Sequence, residues 1–431
     1  MVGSAGLGDS FFPAAGNGGY QVARYHAALR YAPATGILTA RVKLAATARA
    51  ALRRFNLDFR GPAISSVRVD GRRASFRRRG GELRIRPAEP LARGAAFLVV
   101  VRYRGVPGAV RDPDGSLEGW FRTPDGAFAV GEPLGTSAWL PCNNHPVDKA
   151  LFTFRITVPR SLKAVSNGRL TSVIAEGSRR TWVWRVSEPM ATYLATVDIG
   201  RGTLTREIVA GIPSWTMVDP AQEQARGVLD RLGEVLRFQR SLFGPYPFDS
   251  IGAIVDDTNL GYALETQTRP FFNRAPSLTL LVHEIAHQWF GNSVSPRIWS
   301  NIWLNEGFAT YAEWLWTERH GGPTADETFR ALYALPPSRT ELWDPPPASL
   351  GSARNLFVDS VYLRGAMTLQ ALRKRVGDRD FFAILRRWAA AHRYATARTG
   401  QFIALAERIS GRRLDPLFER WLYQQGKPDR P

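Results

Sequence analysis

Cysteine is nearly absent from this chain of 431 residues, in which Cys142 is the single example. One cysteine excludes an intramolecular disulfide and a metal site built from several thiolates, so packing must stabilise the fold. Histidine is also scarce, at six residues. Any metal site that uses imidazole ligands must therefore draw on a small set of positions.

Long apolar runs are missing too. No stretch approaches the roughly 18 consecutive apolar residues of a transmembrane helix, so we predict no membrane span. Residues 1–4 (MVGS) have neither the basic nor the apolar region of a secretory signal. The default expectation is a cytoplasmic protein, with secretion open if a signal has been removed. The sequence leaves the oligomeric state undetermined.

Acidic residues are in the minority, since 38 Asp and Glu stand against 57 Lys and Arg and give a formal net charge of +19. Such an excess can attract polyanions. The arginines are nevertheless spread along the chain, with only local clusters such as 77–79, and no aromatic and basic motif of a nucleic-acid module accompanies them. We therefore predict a solvated basic surface and no nucleic-acid partner.

The pattern of apolar residues divides the chain into two parts. In residues 20–200 it alternates with period two, as in 97–103, which predicts strands. Later it recurs at helical spacing, as in 228–242. The sequence therefore predicts an α+β protein, with an antiparallel β-rich domain over 1–203 and a mainly α-helical domain over 204–431.

The strongest chemical signal is the segment 283–287, HEIAH, in an apolar run with helical spacing. His283 and His287 lie one helical turn apart, so both imidazoles can face one ion while Glu284 reaches a water molecule there. Glu306, nineteen positions after His287, supplies a carboxylate. Two imidazoles and one carboxylate suit a catalytic zinc, so we predict one Zn²⁺ per chain. A chance match is the alternative, but two of only six histidines fall at this spacing.

These motifs resemble those of the zinc aminopeptidases typified by aminopeptidase N and leukotriene A4 hydrolase, within the gluzincin group. The segments 288–292 (QWFGN), 303–309 (WLNEGFA) and 139–146 (WLPCNNHP) are similar to family segments, and the resemblance covers nearly the whole chain. It implies a saddle-like β-rich domain, a thermolysin-like catalytic domain, and removal of N-terminal residues from peptide substrates.

The resemblance also implies residues that bind the substrate's amine. Gly261, Ala263 and Glu265 lie in the segment GYALE, a variant of the family's Gly-Ala-Met-Glu-Asn motif, and Glu132 matches a second amine-binding position. Fixed carboxylates suit this task because they recognise an α-ammonium group by charge-assisted hydrogen bonds. Three positions differ from the family's motif and leave the subsite preference open: Tyr262, Leu264 and Thr266.

Catalytic roles follow from the same resemblance. Glu284 is expected to act as general base, and Tyr362, in the segment VYLRGA, to stabilise the developing oxyanion. We expect support for the metal site from Thr310, one helical turn after Glu306, rather than from an acid.

Two alternatives stay open. A thermolysin-like endopeptidase would share the metal site without an amine anchor, and a non-catalytic binding protein could keep the fold without turnover. The intact Glu284 argues against the second. Family members usually continue into a large helical C-terminal domain, which these 431 residues do not contain, so we expect a more open cleft.

Overall fold

The computed structural model describes residues 2–429. Two compact units are present. The first comprises the described residues up to Arg226 together with Phe248–Ala275, and the second comprises Gly227–Pro247 and the described residues from Pro276 onward.

The first unit contains the long strands. They are β1 (Tyr20–Ala32), β2 (Ile37–Ala48), β3 (Phe55–Asp58), β4 (Ala63–Val69), β5 (Arg72–Arg73), β6 (Ser75–Arg79), β7 (Glu82–Arg86), β8 (Ala96–Gly105), β9 (Ala109–Arg111), β10 (Leu117–Arg122), β11 (Ala127–Val130), β12 (Ala150–Pro159), β13 (Lys163–Ser166), β14 (Arg169–Glu176), β15 (Arg179–Met190), β16 (Val197–Gly200), β17 (Thr203–Val209), β18 (Ile212–Val218), β19 (Ile251–Val255) and β20 (Phe271–Phe272).

Among the described residues, these strands form four sheets. The largest has the order β14-β15-β12-β1-β2-β8-β4-β5, and the others have the orders β13-β16-β11-β10-β9, β3-β7-β6 and β17-β18-β19-β20. In the largest sheet β1 pairs antiparallel with β2 and parallel with β12. Buried and exposed residues alternate along most of β1, as expected for a sheet with one face on the core.

The sheet β17-β18-β19-β20 differs from the sequence-based expectation of helices after residue 201. β17 and β18 form a hairpin in which Val209 pairs with Ile212, and both intervening residues, Ala210 and Gly211, have positive φ. Two positive φ values favour the tight turn that matches strand twist. Apolar residues of β18 and β19 are nearly all buried, so these strands lack the alternation that reveals a half-exposed strand.

The second unit is mainly helical. Together with α1 (Arg226–Leu229) at the boundary, the helices are α2 (Leu232–Phe243), α3 (Leu278–Ala286), α4 (Trp303–Arg319), α5 (Ala325–Ala334), α6 (Thr340–Trp343), α7 (Gly365–Val376), α8 (Asp378–Ala391), α9 (Thr399–Ser410) and α10 (Asp415–Phe418). Two short strands, β21 (Ser295–Pro296) and β22 (Thr396–Ala397), pair in parallel, and π-helical turns occupy Ser360–Arg364 and Glu419–Tyr423.

α4 is the central helix of this unit, since nearly all of its residues up to Trp316 are buried. It approaches α7 closely at two glycines. A Cβ added to Gly307 would lie 2.9 Å from the carbonyl carbon of Gly365, so neither position has room for a side chain. This contact brings the start of α4 against the start of α7.

The predicted fold class is confirmed, with a β-rich part followed by a helical part. The predicted domain limits, 1–203 and 204–431, stay a prediction. Within residues 2–429, no helix combines the length and the apolar character that crossing a bilayer requires.

Candidate metal centre

The two histidines of HEIAH lie at the end of α3. The helix begins after Ser277, whose hydroxyl accepts a hydrogen bond from the backbone N–H of Leu280 at 3.1 Å and so caps it. Gln239 of α2 donates to the backbone carbonyl of Val282 at 2.7 Å, which fixes α3 one residue before His283. Both imidazoles are buried, and their ring centroids are 4.7 Å apart.

Glu306, in the first turn of α4, joins the two histidines. Its Oε2 lies 3.3 Å from Nε2 of His283 and 3.4 Å from Nε2 of His287. One donor atom from each of the three residues lies within 4.8 Å of the others, and all three side chains are buried. The structure therefore brings together the three residues that the sequence predicted as metal ligands.

Each imidazole is oriented through its second nitrogen. Nδ1 of His283 lies 2.6 Å from Oε1 of Glu313, and Nδ1 of His287 lies 3.0 Å from the carbonyl oxygen of Phe290. Both partners are acceptors, so each Nδ1 carries a proton, and in a neutral imidazole the Nε2 lone pair then faces Glu306. This arrangement is the usual outer support of metal-binding histidines.

Glu313 was not expected from the sequence, and the preference for Thr310 over an acid was wrong for the support of His283. Glu313 follows Glu306 by seven positions, which is two helical turns, so both acids lie on the face of α4 that meets α3. That spacing was a usable signal. Thr310 is buried on the same helix.

The cluster attracts positive charge. Burial alone would lower the pKa of His283, but the hydrogen bonds and charges of Glu306 and Glu313 raise it well above its ordinary value. Burial would likewise raise the pKa of Glu306, yet the imidazoles, with His287 foremost, lower it to about 2. The cluster therefore favours positive charge, and a divalent cation can replace the protons that the imidazoles hold there.

The donor set fits zinc better than other common cations. Calcium and magnesium take oxygen ligands, whereas two imidazole nitrogens and one carboxylate oxygen are the usual ligands of a catalytic zinc. His283, His287 and Glu306 are the residues that would hold it.

Glu284 and Tyr362 lie in the same unit as this cluster. Glu284 directly follows His283 on α3 and is buried. The ring of Tyr362 stacks beside His283, with the centroids 6.1 Å apart and an angle of 24° between the ring planes. Tyr362 belongs to the π-helical turn before α7, a type of turn found often at functional sites.

Arg364 fixes this π-helical turn. Its buried guanidinium donates to main-chain carbonyls of the C-terminal segment, including that of Trp421 at 2.9 Å and that of Gln424 at 2.6 Å. Burial lowers the pKa of Arg364 to about 10, so it remains charged at neutral pH. The turn that carries Tyr362 is therefore hydrogen-bonded to the segment 421–424.

The two predicted amine anchors lie together in the first unit. One carboxylate oxygen of Glu132 is within 4.8 Å of one from Glu265, although the residues are far apart in sequence. Glu132 is 8% exposed and Glu265 is 3% exposed. Two carboxyl groups this close repel each other when both are ionised, so the pair favours a cation beside it.

The segment around Glu265 is held at both ends. The backbone N–H of Leu264 donates to the carbonyl of Phe271 at 2.9 Å, and the backbone N–H of Arg269 donates to the carbonyl of Thr266 at 2.9 Å. Gly261 is exposed and has φ +91°, and Ala263 is half-buried. The substrate-binding roles of Gly261 and Ala263 stay predictions.

Two buried histidines of an HExxH helix, joined by a glutamate from another helix, are the pattern of the zinc-dependent peptidases. Two family models match the chain: the Peptidase M1 N-terminal domain over residues 29–194 and the Peptidase family M1 domain over residues 257–421. The chain belongs to peptidase family M1, which confirms the family predicted from the motifs.

Curated relatives are aminopeptidases. Probable aminopeptidase 2 of Sulfurisphaera tokodaii is 24% identical over 409 residues, which cover 86% of this chain and 50% of the relative. Glutamyl aminopeptidase of Bitis rhinoceros is 26% identical over 382 residues, which cover 79% of this chain and 39% of the relative. The chain thus spans half or less of the length of these relatives.

Solved structures match over nearly the full length of both chains. The M1 zinc metallopeptidase of Deinococcus radiodurans has a TM-score of 0.89 and 28% identity, covering 99% of this chain and 98% of its own. A mutant of that peptidase bound to a Tyr-Ser-Ala substrate has a TM-score of 0.88 and 28% identity, with 99% of each chain covered.

Proposed function

We propose that the protein is a zinc-dependent aminopeptidase that removes N-terminal residues from peptides. The observation that carries this proposal is the buried cluster of His283, His287 and Glu306, with Glu284 beside it on α3. Family membership and the aminopeptidase relatives support it.

The chemistry divides between metal and side chains. A zinc ion held by the three ligands supplies Lewis-acid polarisation of a peptide carbonyl and lowers the pKa of water. The Glu284 carboxylate accepts the proton of the attacking water and passes it to the leaving amine. The Tyr362 hydroxyl donates a hydrogen bond to the oxygen on which negative charge develops.

Glu132 and Glu265 supply the preference for a free N-terminus. Two neighbouring, buried carboxylates favour a cationic ligand, and an α-ammonium group offers three N–H donors to them. A charge-assisted hydrogen bond contributes about 1.5–3 kcal/mol, which corresponds to roughly 10–100-fold in binding. An acetylated N-terminus has no positive charge and forfeits this contribution.

Product analysis tests the proposal. The zinc-loaded protein is incubated with Tyr-Ser-Ala and with its N-acetyl form, and the products are identified by mass spectrometry. We expect tyrosine to be released from the free peptide, with the acetylated peptide cleaved at least ~10-fold more slowly. Glu265→Ala should lose most of this difference, while the exposed Glu89→Ala should keep it.

Each alternative has its own signature in this assay. Cleavage of longer acetylated peptides at internal bonds would indicate an endopeptidase. Bound zinc without hydrolysis of either peptide would indicate a binding protein.

A further inference from the structure

Strand β10 contacts both segments that carry the amine anchors. The carboxyl group of Glu118 accepts the backbone N–H of Leu134, two residues after Glu132, with its oxygens at 2.9 and 3.0 Å. The carbonyl of the preceding residue, Leu117, accepts the hydroxyl of Tyr262 at 2.7 Å, three residues before Glu265. Two adjacent residues of one strand thus hold the two anchor segments.

The segment around Glu132 is held from the other side as well. The carbonyl of Leu134 accepts hydrogen bonds from Nδ2 of Asn144 at 3.1 Å and from the hydroxyl of Ser137 at 2.8 Å. A Cβ added to Gly135 would lie 2.5 Å from the backbone nitrogen of Gly119, so this segment lies directly against β10. Glu118 therefore acts on a segment with little freedom to relax elsewhere.

Glu118 is an unusual residue for this place. Its side chain is fully buried, and burying an ionised acid is costly unless it is paired. Burial and then the charge of Asp112 raise the pKa of Glu118 well above its ordinary value, and burial raises that of Asp112 to about 7. A protonated carboxyl still has a carbonyl oxygen that accepts the Leu134 N–H, so the contact does not require the charge.

The Tyr262 hydroxyl also stays protonated. Burial, and next the charges of Glu118 and Asp112, raise its pKa well above the ordinary value, so its hydroxyl remains a donor. With Glu265 on the glutamate of the family's Gly-Ala-Met-Glu-Asn motif, Tyr262 occupies the position of its glycine, which has no side chain. The contact to Leu117 is thus supplied by a residue in which this chain departs from that motif.

We infer that Glu118 and Tyr262 are positioning residues, which set the separation of the Glu132 and Glu265 carboxylates by attaching both segments to β10. The inference rests on the proposed function, because it matters only if that pair binds the substrate's α-ammonium group. Loss of either attachment should weaken recognition of the amine and leave binding at the metal unaffected.

The probe is a pair of inhibitors, leucine hydroxamate and its analogue without the amino group. Both carry the same metal-binding hydroxamate, so the ratio of their dissociation constants reports the amine alone. Isothermal titration calorimetry on the zinc-loaded protein measures this ratio. For the wild type we expect the amine to tighten binding on the order of 10–100-fold.

Four variants distinguish a positioning role from a general disturbance of the structure. Glu118→Leu removes the acceptor and should reduce the ratio at least ~5-fold, toward that of Glu132→Ala, whereas Glu118→Gln keeps an acceptor oxygen and should stay within about 2-fold of wild type. Tyr262→Phe removes one hydroxyl and should reduce the ratio several-fold. Tyr31→Phe removes a hydroxyl that bonds Gly126 in the same unit, at 3.2 Å, and should change nothing.

The outcomes are distinguishable. If Glu132→Ala lowers the ratio but folded Glu118→Leu and Tyr262→Phe do not, the positioning role is overturned and the proposed function survives. If Glu132→Ala and Glu265→Ala both leave the ratio unchanged, the amine anchor is rejected, and this inference with it. Should Glu118→Leu not fold, Tyr262→Phe against Tyr31→Phe decides the question.

Discussion

Removing the Glu313 carboxylate should weaken zinc binding without unfolding the second unit. Glu313 accepts the Nδ1 proton of His283 at 2.6 Å, and 24% of its side chain is exposed. Hydrogen bonds to charged groups contribute about 1.5–3 kcal/mol, and partial exposure favours the lower value. Since 1.4 kcal/mol is a factor of ten, we expect about 10-fold weaker binding for Glu313→Gln and up to about 100-fold for Glu313→Ala.

Competition with a chromogenic chelator measures this change directly. Apoprotein is titrated with zinc at neutral pH in the presence of the chelator. The dissociation constant of the protein follows from how the zinc divides between protein and chelator. Glu318→Gln is the matched control, because Glu318 lies on the same helix and pairs with Arg373. A dissociation constant for Glu313→Ala within about twofold of wild type would refute the supporting role of this acid.

Three further predictions concern single groups. Glu284→Gln should retain stoichiometric zinc yet lose about 10²–10⁴ in turnover, and near wild-type turnover would contradict the general-base role. Tyr362→Phe should lower kcat by about 10²–10³, whereas an unchanged kcat would assign the phenol to packing. Glu82 lies opposite Asp58 in the β3–β7 register, and burial, then the charge of Asp58, raises its pKa from 4.5 to about 8. The protonated Glu82 side chain therefore stabilises the fold below about pH 4.5, and this contribution is lost as the pH rises to about 8. In urea unfolding experiments, Glu82→Gln should accordingly become more stable relative to wild type as the pH rises between these values. A difference in unfolding free energy that does not change with pH would exclude this linkage.

The metal ligands could be predicted from the sequence because their geometry is mostly local. His283 and His287 are one turn apart on any helix, and a capping serine and an apolar run define that helix. Glu306 completed a known donor set. The seven-residue spacing places Glu313 on the same face of α4 as Glu306, but its contact with His283 depends also on how α3 and α4 pack against each other.

The amine anchors show the limit of local reasoning. Glu132 and Glu265 lie more than a hundred positions apart, and only the tertiary structure of the first unit brings their carboxylates together. The sequence suggested them through the family resemblance alone. Glu118 was missed for a related reason: a glutamate in an ordinary strand pattern gives no sign that it will be buried beneath a distant turn.

The strands after residue 201 were missed for a different physical reason. β18 and β19 are buried on both faces, so their apolar residues do not alternate, and helical spacing in the following segment dominated the pattern. The positive-φ turn at Ala210 and Gly211 was the local signal of a hairpin, and only Gly211 indicates it in the sequence.

Zinc titration of the apoprotein tests the central claim most directly, if bound metal and the release of tyrosine from Tyr-Ser-Ala are measured on the same samples. We predict that the rate rises in proportion to bound zinc and stops rising at one zinc per chain, and that His287→Ala removes both signals. Full activity in metal-free protein, or full zinc occupancy with no release of tyrosine, would contradict the account.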